Sequence, residues 1–225
     1  MHSSLKSIFC RDDFKSAVRD VVYLYDRNYP EKTVIQAVGN RYRLTRQERM
    51  ILYRGISKLT YNRPLNILKP DLIRDKSLFV DGFNVIITLE SYLKGIIVFK
   101  GMDDITRDIA GLHSYKSNPD ICEKALSLFM LGLIKLKPSH TEVIFDYPVS
   151  GSGKMANMVN RCFDSEKIKG RAFTDRSPDY MLKLTDKVVC SSDSAIIKSA
   201  QEVFDMPGFI IEGIMNKKIF SIPKN

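Results

Sequence analysis

The sequence contains few of the side chains that commonly hold zinc or act as bases in catalysis. Its 225 residues include four cysteines and three histidines, which are scattered along the chain without a Cys-x-x-Cys pair. A structural zinc site needs clustered soft ligands, so the sequence argues against one. With so few histidines, the candidates for acid–base or metal chemistry are carboxylates.

Long hydrophobic runs are also missing. The longest apolar stretches, such as residues 128–134, are far shorter than the ~20 residues that a membrane-spanning helix needs. Near the N-terminus, the charged residues Arg11, Asp12 and Asp13 interrupt any apolar core of a signal peptide. The sequence therefore predicts a cytoplasmic protein that does not associate with membranes.

The positive charge of the chain is concentrated in its first third. Residues 1–76 hold 16 basic and 8 acidic side chains, a net charge of +8, whereas residues 77–225 hold 19 and 18, a net charge of +1. This asymmetry predicts a region that binds a polyanion, although such a surface can also be a solvated face or a contact for an acidic protein. Between residues 34 and 69 the only acid is Glu48, and the basic residues are Arg41, Arg43, Arg46, Arg49, Arg54, Lys58, Arg63 and Lys69.

The first 76 residues have the pattern of a small helical domain. Apolar residues spaced three and four apart predict a helix over residues 12–28. Thr33 is the expected N-cap of a second helix over residues 34–38, and Thr45 begins a capping box with Glu48. Residues 60–76, which contain Pro64 and Pro70, are expected to form a linker.

Residues 77–225 alternate between strand and helix patterns. This alternation predicts an α/β domain with a central, mostly parallel sheet flanked by helices. Helices are expected over residues 121–136, 155–163, 178–184 and 194–204, and strands over residues 96–99, 141–145, 187–190, 208–212 and 218–222.

Residues 77–88 form a further apolar run, which is interrupted at Asp81. Three expected strands thus end in an aspartate, in the segments LFVD (Asp81), VIFD (Asp146) and VVCSSD (Asp193). In an open parallel sheet, ligands bind beyond the carboxyl ends of the strands. Carboxylates brought together there would repel one another unless a cation lay between them, and hard oxygen ligands suit Mg²⁺ or Mn²⁺. Asp179, at the start of an expected helix, is a further candidate. The alternative for each aspartate taken alone is a turn or cap residue.

Two further polar residues are candidates for contacts with a substrate phosphate. Asn84 follows Asp81 by three residues, and its alternative role is a hydrogen bond that holds the loop. Residues 150–154 end in Lys154 and are similar to a phosphate-binding loop, but Pro148 and Met155 break the Walker A pattern. Lys154 and the loop amides could still bind a backbone phosphate, or the loop could simply be flexible.

The sequence resembles the PIN-like nuclease superfamily, including its NYN branch. The segments that show this resemblance are LFVDGFNVI, VIFDYPVSGSG, SPDYMLKL and VVCSSDSAII. A closer similarity, which covers nearly the whole chain, is to a largely archaeal family that joins an N-terminal helical domain of unknown function to a PIN-like domain. Its shared stretches are similar to DGFNVIITLES, DDITRDIAGLHSYK and PVSGSG.

The resemblance implies a metal-dependent ribonuclease fold with an acidic site. Carried over by position, the catalytic residues are Asp81, Asp146, Asp179 and Asp193. PIN nucleases place another acid on a helix some way after the first, and here Asp104 is favoured, with Asp108 and Glu123 left open. The implied metal ligands are Asp81, Asp104, Asp146 and Asp193.

Two functional hypotheses follow. In the first, the protein is a Mg²⁺- or Mn²⁺-dependent endoribonuclease, and its helical domain binds RNA, or alternatively DNA, through Arg41, Arg43, Arg46, Arg49 and Arg54. A serine hydroxyl, from Ser191 or Ser192, would assist at a phosphate. In the second, the PIN-like domain is a non-catalytic nucleic-acid-binding or regulatory module. A homodimer is left open.

Overall fold

Four helices form the N-terminal part of the chain in the computed structural model, which describes residues 2–61, 64–110 and 118–224. The apolar stripe of the second helix is buried against its neighbours, and a capping box of Thr45 and Glu48 begins the fourth. This unit has a hydrophobic core of its own, to which Phe99 and Ile222 from the rest of the chain also contribute. The helices are α1 (His2–Cys10), α2 (Asp12–Asp26), α3 (Glu31–Arg41) and α4 (Arg46–Gly55).

A four-stranded parallel sheet forms the centre of the remaining chain. Its strands lie in the order β5-β4-β1-β6, so β1 and β4 are the two inner strands. Apolar side chains of the inner strands are buried on both faces, as expected of a parallel sheet covered by helices. The strands are β1 (Ser77–Asp81), β4 (His140–Asp146), β5 (Gly170–Asp175) and β6 (Val188–Cys190).

Helices flank this sheet, so the architecture is α/β. A separate antiparallel hairpin of β2 (Val98–Lys100) and β3 (Thr106–Asp108) lies beside it. Among the described residues, no helix is both long and apolar enough to cross a bilayer. The flanking helices are α5 (Gly82–Leu93), α6 (Pro119–Leu136), α7 (Ser152–Glu166), α8 (Pro178–Leu184), α9 (Ser194–Ile197) and α10 (Met206–Gly208), the last running into a π-helical segment, Phe209–Ile214.

The β2–β3 hairpin attaches the helical unit to the α/β unit. The Met102 amide donates a hydrogen bond of 2.8 Å to the carbonyl of Gly55, the last residue of α4. A Cβ atom on Gly55 would lie 2.7 Å from the Phe99 ring, so only glycine allows the helix end to approach this closely. The C-terminal end of α4 is therefore held against the hairpin.

A buried ion pair strengthens the same junction. The Arg107 guanidinium contacts both carboxylate oxygens of Asp103, at 2.5 and 2.8 Å, and also donates to the Ser192 carbonyl at 3.1 Å. Thr60, just after α4, donates to Asp103 at 2.5 Å. Arginine in this position thus links the helical unit, the hairpin and the residues that follow β6.

Several sequence-based predictions of elements are confirmed. The α/β class, the parallel sheet flanked by helices and the Thr45 capping box are present, and the helix predicted over residues 178–184 has the bounds of α8. The helix predicted over residues 121–136 corresponds to α6, and the strand over 141–145 to β4.

Other predictions of elements are wrong. Residues 208–212 are helical rather than a strand, because Asp205 caps this segment and Ile210 packs against Gly132 of α6. Residues 218–222 make only an isolated bridge, between Ser221 and Lys100. Helix α3 begins after Pro30, so Thr33 is not its N-cap, and α9 ends at Ile197. Strand β5, which has a polar sequence, was not predicted.

Replacing Phe99 with alanine should lower the free energy of unfolding by about 3–5 kcal/mol. Phe99 is fully buried where the hairpin meets the helical core, so truncation leaves a cavity. Urea unfolding followed by circular dichroism measures the loss. Leu72→Ala, at a side chain that is 51% exposed, is the control and should change stability by less than about 0.5 kcal/mol. Equal effects of the two changes would contradict the role of Phe99.

Candidate metal and phosphate site at the sheet edge

A pocket with a volume of about 100 Å³ opens at the carboxyl edge of the sheet. Residues from the helical unit, the hairpin and three parts of the α/β unit meet there. Four of them are aspartates and one is an arginine, which makes the pocket both strongly charged and net negative. The lining residues are Arg54, Asp81, Phe83, Asn84, Ile87, Asp108, Asp146, Pro178 and Asp179.

Asp81 ends β1 and caps the N-terminus of α5. Its carboxylate accepts hydrogen bonds from the side-chain amide of Asn84, from the backbone amide of Asn84 at 3.4 Å and from the Ser191 hydroxyl at 2.9 Å. Burial nevertheless raises the pKa of Asp81 to about 6, because desolvation outweighs these donors and Asp179 adds a like charge. Asp81 is therefore an acid whose charge is costly in the pocket.

Asp146 and Asp179 approach the pocket from other elements. Asp146 is the last residue of β4, and Asp179 lies in the first turn of α8, which follows β5. Burial and the nearby Asp179 raise the pKa of Asp146. Within the described residues, the Asp146 carboxylate receives no hydrogen bond, so none of these residues compensates its charge through a donor.

Asp108 is the fourth carboxylate, and its role is one that the sequence alone leaves open. It ends β3 and is buried, and its oxygens accept hydrogen bonds from the Thr88 hydroxyl at 3.0 Å and the Ala110 amide at 2.7 Å. The Arg54 guanidinium lies 3.9 Å from it. The hairpin thus places Asp108 in the pocket. The sequence does not reveal this placement, because Asp108 is separated from β1 along the chain.

Polar residues behind the pocket hold its lining in place. The Ser192 hydroxyl donates to the Asn84 side-chain oxygen at 2.8 Å, and Asn84 in turn donates to Asp81. Asn84 lines the pocket, whereas Ser192 is buried behind it and does not. Asn84 and Ser192, which are both predicted to contact phosphate, therefore occupy different layers.

Two of the predicted metal ligands lie outside the pocket. Asp104 is exposed and pairs with Lys224 at 2.6 Å. Asp193 caps α9, where it accepts hydrogen bonds from the Ala195 and Ile196 amides. Glu123, the other open alternative, is exposed on α6. The structure therefore groups Asp81, Asp146 and Asp179 with Asp108, and not with Asp104 or Asp193.

The predicted basic residues are divided between three environments. Arg54 lines the acidic pocket, and Arg49 donates to the carbonyls of Leu44 and Gln36 beneath the buried Gly39. Arg63 lies outside the described residues. The exposed members are Arg41, which is 3.6 Å from Asp20, together with Arg43, Arg46 and Lys154.

The chemistry of the pocket fits a hard divalent cation. Its donors are carboxylate oxygens, which Mg²⁺ and Mn²⁺ prefer, and two of its acids have a raised pKa to which the nearby Asp179 contributes. Across the described part of the chain, no three Asp, Glu, His or Cys side chains are placed as an assembled coordination group. The fit thus rests on donor type and charge rather than on coordination distances.

The raised pKa of Asp81 predicts that the contribution of this side chain to the stability of the fold falls as the pH rises. Below its ordinary pKa of 3.8 the carboxyl is protonated in both the folded and unfolded states, whereas above about 6 folding requires a buried charge. The difference corresponds to about 3 kcal/mol at neutral pH. The difference in melting temperature between Asp81→Asn and the wild type should therefore shift in favour of Asp81→Asn as the pH rises from 4 to 7.

Thermal unfolding in a metal chelator measures this difference. Asp164→Asn, at an exposed position on α7, is the matched control and should follow the wild type at every pH. Parallel curves for the wild type and Asp81→Asn would show that Asp81 keeps an ordinary pKa.

Comparisons with known proteins divide the chain in two. Residues 13–60 match the model of a family described as Protein of unknown function (DUF434), and residues 70–209 match one described as Domain of unknown function (DUF5616). An uncharacterised protein of Methanocaldococcus jannaschii is 33% identical over 211 residues, which cover 90% of this chain and 99% of that protein. No solved structure matches the chain. Because residues 70–209 are more than half of its length, the chain belongs to the family of the domain of unknown function DUF5616.

Proposed function

We propose that the protein is a Mg²⁺- or Mn²⁺-dependent ribonuclease that cleaves RNA endonucleolytically. The observation that carries this proposal is the meeting of Asp81, Asp108, Asp146 and Asp179 in one pocket at the carboxyl edge of a parallel sheet. The resemblance of the strand-end segments around Asp81 and Asp146 to PIN-like nucleases supports the same activity.

The four carboxylates would hold the cation. When bound, a divalent cation activates water and stabilises the negative charge that develops on a phosphate. The chain's own residues prepare this site: Ser191 and Asn84 orient the Asp81 carboxylate, and Thr88 orients Asp108. Asp146, with no hydrogen bond from the described residues, keeps both oxygens available to a ligand.

The helical unit would bind the RNA backbone. Arg46 is the first residue of α4 and Arg43 lies just before its N-cap; both are exposed, and within the described residues no hydrogen bond or ion pair engages their guanidinium groups. Guanidinium groups form strong, often bidentate hydrogen bonds to phosphate. Arg49 is excluded from this role because it is engaged with backbone carbonyls.

Asp146→Asn should lower the rate of Mn²⁺-dependent RNA cleavage by about 100-fold or more, because several kcal/mol of charge stabilisation would be lost. The substitution keeps the side-chain shape and removes no hydrogen bond within the described residues, so the melting temperature should not fall. Cleavage of a mixed-sequence RNA with Mn²⁺, with Mg²⁺ and with a chelator measures the effect.

The matched control for this experiment is again Asp164→Asn, which should cleave at the wild-type rate. Wild-type rates for Asp146→Asn would exclude Asp146 from the reaction, and cleavage that persists in the chelator would contradict the need for a cation.

Charge reversal of Arg43 and Arg46 should weaken RNA binding by about tenfold or more at low salt and reduce the dependence of the affinity on salt concentration. Fluorescence anisotropy with labelled RNA measures both quantities. Arg161→Glu, at an exposed position on α7, is the control for a nonspecific change in net charge. An unchanged affinity after reversal of both arginines would indicate that this face is a solvated surface.

A second candidate function is a non-catalytic nucleic-acid-binding or regulatory module. The observation that favours it is Arg54, whose positive charge lies among the carboxylates and partly neutralises Asp108. RNA binding that is salt-sensitive but is not followed by cleavage with Mg²⁺ or Mn²⁺ would establish this function instead.

A further inference from the structure

Arg54 is unusual among the arginines that the structure describes, because it is largely buried without being hydrogen bonded. Its side chain is only 22% exposed, and it lines the pocket with the four aspartates. Within the described residues its guanidinium makes no hydrogen bond, and its closest charged group, Asp108, is 3.9 Å away. Its N–H donors therefore remain available inside the pocket.

A second buried guanidinium group, that of Arg107, is fully engaged by the fold. Arg107 binds Asp103 through two nitrogens and donates to the carbonyls of Ser192 and Ile105. Arg49, which is half-buried, likewise spends its donors on backbone carbonyls. These arginines have structural contacts that account for their burial, whereas the contacts of Arg54 leave its burial unexplained.

The position of Arg54 is built into the junction between the two units. It precedes Gly55, the residue of α4 that bonds to Met102 and packs against Phe99 of the hairpin. The same hairpin ends in Asp108. Docking of the helical unit therefore places the guanidinium beside the carboxylates, and the pocket is incomplete without it.

Asp108 does not rely on Arg54 for its position. Thr88 and the Ala110 amide bind its two oxygens at hydrogen-bonding distances, while the contact with Arg54 is too long for a hydrogen bond. A guanidinium with unused donors, next to carboxylates suited to a cation, is complementary to a ligand that carries an anionic phosphate together with a divalent ion.

We propose that Arg54 binds a non-bridging oxygen of the substrate phosphodiester, so that the helical unit supplies a phosphate-binding residue to the carboxylate pocket. This inference rests on the proposed ribonuclease function. It assigns to Arg54 a contact inside the site, distinct from general binding of the RNA backbone by the exposed Arg43 and Arg46.

Arg54→Gln tests the proposal in steady-state cleavage of RNA with Mn²⁺. The loss of charged hydrogen bonds to phosphate should lower kcat/KM by about 10- to 100-fold, mainly through KM. Arg54→Lys, which keeps the charge but not the bidentate geometry, should restore part of the loss. Arg74→Gln is the control, because Arg74 is exposed and precedes the start of β1, at the opposite edge of the sheet.

Binding measurements separate a phosphate contact from a structural role. In the Asp146→Asn background, Arg54→Gln should weaken binding of a short labelled oligoribonucleotide by a similar factor. The affinity for Mn²⁺ alone, followed by electron paramagnetic resonance, should not weaken. If Arg54 only neutralised the carboxylates, Arg54→Gln would bind Mn²⁺ more tightly while KM stayed unchanged, and the proposal would be overturned.

The remaining outcomes also decide the question. If Arg54→Gln does not fold, an unchanged KM for Arg54→Lys overturns the proposal and a raised KM supports it. If the wild-type protein cleaves no RNA, the proposed ribonuclease function fails by itself. Equal oligoribonucleotide affinities with and without the Arg54→Gln change would then reject the role of Arg54 as well.

Discussion

Repulsion between carboxylates at one edge of a parallel sheet is the constraint on which this site depends. Parallel strands end at the same edge, so the aspartates that end β1 and β4 are brought together whatever their distance in the sequence. Burial is the main cause of the raised pKa of both Asp81 and Asp146, and the like charge of Asp179 raises each pKa further. The fold holds the carboxylates together despite this repulsion. A positive charge, from a cation or from Arg54, would offset it.

The junction between the two units decides which positive charge reaches the pocket. Gly55 allows the end of α4 to approach Phe99, and the hairpin that receives it also carries Asp108 and the Asp103–Arg107 ion pair. Contacts that join the two units and a residue that lines the pocket thus share one short hairpin. This sharing explains how a separate helical unit can contribute a side chain to a site built mainly on the sheet.

Much of the fold could be predicted because its signals are local. The spacing of apolar residues in α2, the Thr45 capping box and the bounds of α8 depend on neighbours within a few residues. The wrong prediction for residues 208–212 shows where tertiary contacts decide the conformation. Ile210 lies in a short apolar run that suits either a strand or a helix, and its packing against Gly132 selects the helix.

The sequence by itself determined the α/β class, the separation of a basic helical region and the strand-end positions of Asp81 and Asp146, since each follows from local composition and periodicity. Only the tertiary structure decided that Asp108 and Arg54 join these acids while Asp104 and Asp193 do not. The physical reason is that hairpin pairing and helix docking are long-range contacts, so two aspartates four residues apart can lie in different environments.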